Sequence, residues 1–110
     1  MKFWIGGAGQ TANMAVIWAQ LYIDDKCYGV HAYIVPIRDP QNHKLLPGVL
    51  IGDCGNKNGL NGIDNGFIML DKVRIPKLYQ LDRISGVDDN GKFRTLVEND
   101  EKRFGLHLAA

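Results

Sequence analysis

The chain has 110 residues, 45% of them hydrophobic and 23% charged, and its 13 Lys and Arg stand against 12 Asp and Glu for a net charge of +1. That length makes one domain at most, and the near-neutral balance argues against a nucleic-acid surface, which needs clustered positive charge to displace counterions. No apolar run approaches the roughly 18–20 residues of a membrane helix. The first apolar run is broken at once by Gly6, Gly7 and Gly9, so it does not read as a signal peptide.

Met1–Ile5, "MKFWI", opens directly in a β-prone stretch without a preceding turn. Gly7-Ala8-Gly9-Gln10-Thr11-Ala12 then fits G-x-G-x-x-A, the pattern of a dinucleotide-binding loop. That loop needs a strand before it, a helix after it and an acidic residue at the end of the next strand, in a unit of about 30 residues. Asp24 lies only 17 positions beyond Gly7, and no further βα units follow. A Rossmann site is therefore rejected. Two readings remain, a glycine turn between strands and a loop whose missing side chains admit a flat ligand. With no Cβ, Gly6 and Gly7 allow backbone amides to approach such a ligand closely. Strand alternation would put the Trp4 indole on the same side as Gly6.

Residues 11–23 favour neither state, since three alanines and a leucine suit a helix while Val16, Ile17, Tyr22 and Ile23 suit a strand. Residues 28–37, "YGVHAYIVPI", read as a strand covered on both faces. Residues 38–47 are a loop, and 48–53 a second strand. Residues 54–66 hold four glycines and four asparagines and read as successive turns, with Asp64-Asn65-Gly66 as turn chemistry. A half-exposed strand is expected over 67–75, ended by Pro76, and a hairpin at Asn90-Gly91. From Asn99 a helix begins, with Asp100 and Glu101 at the positive end of its dipole. The whole reads as a mainly β domain of about five short strands with a helix starting at its end. Neither end carries a finishing signal, so a fragment is expected.

Other residues suggest little chemistry. His31 is expected to be a bonded core residue, and Cys27 a small packed one. Cys27 and Cys54 form no C-x-x-C pair and are expected to be reduced, as in an intracellular compartment. His43 and His107 have no spacing that suits zinc, and the Asp88–Gly91 run lacks the later Glu of a calcium loop. Arg74 and Lys77 read as solvated.

The blocks "KFWIGGAGQTANMAVIWAQL", "CYGVHAYIVPIRDP", "LPGVLIGDCGNKNGLNGIDNGF" and "DKVRIP" follow one another as in the peroxisomal acyl-CoA oxidases. The chain resembles that family over essentially its whole length, and "NGLNGIDNGF" with "DKVRIP" is closer to the branched-chain (pristanoyl-CoA) type. The resemblance implies the β-barrel or sandwich-like middle domain of the acyl-CoA dehydrogenase fold. Residues 1–96 would be its later, FAD-facing part, and 97–110 the start of the C-terminal helical domain. It also implies that residues 11–23 are a strand.

In the related dehydrogenases the opening block reads K-x-W-I-[ST]-N, its Trp beside the isoalloxazine and its hydroxyl near flavin N5. Lys2, Trp4 and Ile5 match, and Gly6 replaces the hydroxyl residue. The implied cofactor is FAD, and the implied contacts are Gly6, Trp4 and Gly7. The implied reaction is α,β-desaturation of a fatty acyl-CoA: a Glu removes the α-proton, the β-hydrogen leaves as hydride, and O2 is reduced to H2O2. That Glu falls outside this chain, so no catalytic group is assigned here. A homodimer in the peroxisome is implied for the intact enzyme. The alternatives are an acyl-CoA dehydrogenase and a non-catalytic β-domain for acyl-CoA binding or assembly. H2O2 release separates oxidase from dehydrogenase, and a Glu in the C-terminal bundle separates either enzyme from a silent module.

Overall fold

Residues 1–109, described by a computed structural model, are mainly strand with one helix at the end. The strands are β1 (Lys2–Gly6), β2 (Met14–Ile23), β3 (Lys26–Pro36), β4 (Val49–Asp53), β5 (Asn65–Leu70), β6 (Ser85–Val87) and β7 (Phe93–Thr95), followed by α1 (Asp100–Ala109). Residues 14–23 are thus strand, as the family resemblance implied and local propensity left open. Seven strands form among the described residues where about five were expected.

The chain divides into two units, Met1–Ala15 with Pro36–Arg74 and Val16–Val35 with Ile75–Ala110. In the first, β1, β5 and β4 make an antiparallel sheet in that order, with β1 at an edge. Register assigns its faces, because directly opposed residues share a side and neighbours along a strand alternate. Gly66 and Ile68, with Val49 and Ile51 of β4, lie on the covered face, where Ile68 and Val49 join the core with Ile37 and Ala8. Asn65, Phe67 and Met69, with Leu50 and Gly52, lie on the other face, where Leu50 and Met69 are exposed. The Phe67 ring lies across Gly52, and a Cβ there would come within 2.3 Å of Cζ.

Two boundaries differ from the sequence reading. β5 starts at Asn65, inside the stretch read as turns, because Gly6 and Asp53 offer pairing partners for Asn65 and Gly66. It ends at Leu70 and not at Ile75, because pairing with the short β4 stops at Val49↔Leu70 and Lys72, at φ 53, bends the chain away.

In the second unit β2 and β3 pair as a hairpin through Asp24-Asp25, both with positive φ (48 and 64). Positive φ at both central residues is the signature of a type I′ turn, so the pair that tempted a ribose-binding reading is turn backbone. A glycine relieves left-handed strain. Asp25→Gly is expected to stabilise the unit by about 0.5–1 kcal/mol, read as a higher midpoint in thermal or urea unfolding.

The β6–β7 hairpin closes through Asp88–Lys92. The Gly91 N–H reaches the Asp88 carbonyl at 3.1 Å, and Gly91 has φ 77, a three-residue loop in place of a two-residue one. Asn99 caps α1 as expected, its Oδ1 accepting from the Lys102 N–H at 3.0 Å.

His31 is fully buried, as the sequence reading required. Its Nδ1 lies 3.1 Å from the Gly29 carbonyl and its Nε2 2.8 Å from the Ser85 hydroxyl; in the neutral ring Nδ1–H donates to the carbonyl and Nε2 accepts from the hydroxyl. Arg103 is buried beside the stacked Tyr28 and Phe93 rings, ion-paired to Asp100 and donating to the Val97 carbonyl at 3.2 Å. Cys27 departs from expectation: it is exposed on β3, its thiol 3.2 Å from Gln20 Oε1. The flank of a tight hairpin gives a small side chain little cover. Both thiols are free. The His107 side chain lies outside the described residues.

Candidate functional site

The site is built by the end of β1 and the loop that follows it. Between Lys2↔Ile68 and Ile5↔Gly66 the register slips, so Phe3 and Trp4 together oppose Phe67 alone. This is a β-bulge, a device that re-aims side chains. The extra residue lies before Trp4, which opposes Phe67 on the face that Phe67, Asn65 and Gly6 share, so the register keeps Trp4 and Gly6 on one side as alternation implied. Trp4 sits at φ 65 and is 48% exposed. A bulky residue in the left-handed region is a true outlier, and such strain concentrates at functional sites.

Beyond the bulge, Gly6 opposes Asn65. The Gly7 N–H donates to the Asp64 carbonyl at 2.8 Å, and the Cys54 N–H to the Asn65 carbonyl at 3.0 Å. These bonds make Gly6↔Asn65 a pair of the kind whose own amides face away from each other. The Gly6 N–H therefore points outward from the free edge of β1. A Cβ on Gly6 would meet nothing within 4 Å, and its φ is not in the left-handed region. Neither packing nor backbone geometry demands a glycine here.

Gly7 differs. Its φ of 74 suits the third position of the turn closed by the Ala8 N–H on the Ile5 carbonyl at 3.3 Å. Its amide is committed to Asp64, so the backbone-amide contact expected of it from the sequence is not open. Gly7 shapes the bend that leaves Gly6 bare.

The remaining G-x-G-x-x-A amides also have a partner. Asp64 Oδ2 accepts from the N–H of Gln10 (3.0 Å) and Thr11 (3.1 Å) and from the Thr11 hydroxyl (3.1 Å). The loop wraps an internal carboxylate where a dinucleotide loop would hold a phosphate, and β2 follows it where a helix would be needed. From its other side Arg38 donates to the carbonyls of Ala12 (2.8 Å), Ala8 (2.9 Å) and Gly9 (3.0 Å). Gly9 must stay bare, because a Cβ there would lie 2.5 Å from Asp64 Oδ1. Asp64 thus clamps the loop and does more than the turn chemistry expected of it.

Partial burial by itself would raise the Asp64 carboxyl, but the hydrogen bonds from Gln10 and Thr11, with the nearby Gly9 amide, outweigh it and hold the pKa below its ordinary 3.8. A depressed carboxyl stabilises the fold fully above its unfolded value and loses that contribution as pH falls through the folded value. The Gln10 and Thr11 amides are therefore expected to stay protected from hydrogen exchange near neutrality and to lose protection progressively below about pH 4. Asp64→Ala, which removes the acceptor, should remove protection at every pH.

A cavity of about 380 Å3 lies in the second unit, lined by Trp18, Ala32, Gln80–Ile84. It includes none of Trp4, Gly6 and Gly7. Arg74 and Lys77 are exposed, Lys77 in an ion pair with Asp89 at 2.7 Å. Sequence reasoning singled out Trp4 and Gly6, read Asp64 and Asn65 only as turn residues, and did not single out Arg38. No spacing signal ties these three to the loop, because sheet register and chain crossing bring them to it.

No family model matches the chain. It is 44% identical over 110 residues to peroxisomal acyl-coenzyme A oxidase 3 of Homo sapiens, covering 99% of this chain and 16% of that protein. It is 46% identical over 99 residues to human peroxisomal acyl-coenzyme A oxidase 1, covering 90% and 15%. Among solved structures, acyl-CoA oxidase-1 of Caenorhabditis elegans, complexed with FAD and ATP, superposes with a TM-score of 0.81 at 41% identity, over 84% of this chain and 14% of that one. The chain spans about one-sixth of the length of the curated relatives it matches.

Proposed function

We propose, because this chain matches one segment of the acyl-CoA oxidases in both sequence and fold, that it is the FAD-facing scaffold of such an enzyme. Residues 1–96 are then the later part of the middle β-domain and 97–110 the start of the C-terminal helical domain. The whole protein desaturates a fatty acyl-CoA to the trans-2-enoyl-CoA, reduces O2 to H2O2, and acts in the peroxisome as a homodimer.

One observation carries this reading. At the position matching the flavin-contacting block, the chain presents a bare outward amide at Gly6, beside a strained and exposed Trp4. That open space would admit a flat ring system. FAD, when bound, supplies the acceptor for the hydride leaving the substrate β-carbon. The chain's own part is positional. Trp4 offers an aromatic face, and Gly6 offers a fixed dipole at the ring edge that needs no reorganisation during the reaction. Gly7 and the Asp64–Arg38 clamp hold the bend.

The test is the full-length protein with a fatty acyl-CoA. It is expected to purify yellow and to release H2O2 in step with enoyl-CoA. Turnover that requires another electron acceptor and yields no H2O2 overturns the oxidase reading.

A further inference from the structure

We infer that Asn65 is a further flavin-positioning residue, its carboxamide donating a hydrogen bond to the rim of the ring system that lies over Gly6. The inference rests on the flavin reading above. Asn65 is 7% exposed, and its carboxamide, which makes no hydrogen bond among the described residues, is not enclosed like Asp64 Oδ1 or Gln80 Nε2 but reaches the surface. A carboxamide that reaches the surface with its donor uncommitted to the protein is open to a ligand.

Its position says what that would be. Asn65 opposes Gly6 across the β1–β5 ladder, in the pair type that brings Cα atoms to about 4.5 Å and side chains closest together. The two residues share one face of the sheet, and on that face Gly6 leaves empty the volume a side chain would fill. A flat group resting on Gly6 comes within reach of the Asn65 amide.

The chemistry selects Nδ2 as the contacting atom. The pyrimidine rim of an oxidised flavin presents mostly acceptors, and reduction adds negative charge there. A fixed N–H donor favours the reduced form and raises the potential. Because Asn65 has no protein partner, its removal should disturb the cofactor far more than the fold.

The experiment uses the full-length flavoprotein and two near-isosteric variants, Asn65→Leu and Asn65→Asp, with FAD content, thermal midpoint and flavin midpoint potential measured for each. Asn65→Leu is expected to keep FAD and its thermal midpoint while its preference for the reduced flavin falls about tenfold. For a two-electron couple that is a potential lower by about 30 mV. Asn65→Asp, which brings a negative charge to the same place, should fall further. If both variants hold FAD at the wild-type potential, the inference fails while the flavin reading stands. A lowered thermal midpoint without a change in potential marks a purely structural Asn65 and also overturns it. Should Asn65→Leu not fold, Asn65→Asp decides by the same potential measurement. A wild-type protein that takes up no flavin overturns the reading and the inference together.

Discussion

Gly6→Val in the full-length protein is expected to weaken FAD binding about 10- to 100-fold, or about 1.4–2.8 kcal/mol, with little change in thermal stability. The fold should tolerate it, since the added Cβ meets nothing within 4 Å and the backbone there is not left-handed. A β-branched side chain also suits a strand. The ligand should not tolerate it, because the branch fills the space through which a ring would approach the β1 edge, and intrusions into a packed contact cost about 1–3 kcal/mol. Fluorescence titration of the apoprotein with FAD measures the loss, and the thermal midpoint controls for folding. Unchanged affinity would place the flavin elsewhere and remove the basis for assigning Trp4 and Gly6.

Arg38→Met is expected to be the most destabilising single change at the site, by about 3–5 kcal/mol. Arg38 is 6% exposed, and its guanidinium satisfies the carbonyls of Ala8, Gly9 and Ala12 together. Methionine fills much of the same volume but donates nothing, so carbonyls facing the interior lose their partner. Arg38→Lys should recover only part of the loss, because one ammonium cannot reproduce the fork that reaches three oxygens. Urea unfolding gives the magnitude, and hydrogen exchange across residues 7–13 locates it. FAD content should fall with Arg38→Met as the bend carrying Gly6 loosens. A stable Arg38→Met protein with full FAD content would mean that the loop holds its shape without the clamp.

Much of the local structure was legible because it depends on neighbours in sequence. The apolar run of β3, the Asn99 cap of α1 and the Asn90-Gly91 hairpin each depend on residues a few positions apart. The G-x-G-x-x-A pattern was correctly refused on spacing, and Trp4 and Gly6 were picked out through the "KFWIGG" block. Other features were not local. The end of β5 depends on how far β4 runs, and the bulge at Phe3–Trp4 on counting residues against Phe67. The state of residues 14–23 was undecided by propensity, because an almost wholly apolar segment takes its period from whatever it packs against.

By itself, then, the sequence determined a mainly β chain, the helix at its end, and a bare glycine after a tryptophan as the place to look. Only the tertiary structure decided that the Gly6 amide points off a free edge while the Gly7 amide does not. It also decided that the Gln10 and Thr11 amides close on Asp64, and that Asn65 stands across from the gap. The reason is physical: hydrogen-bond partners and shared faces in a sheet are set by register between strands distant along the chain, and no local pattern of residue types encodes which amide will be left over.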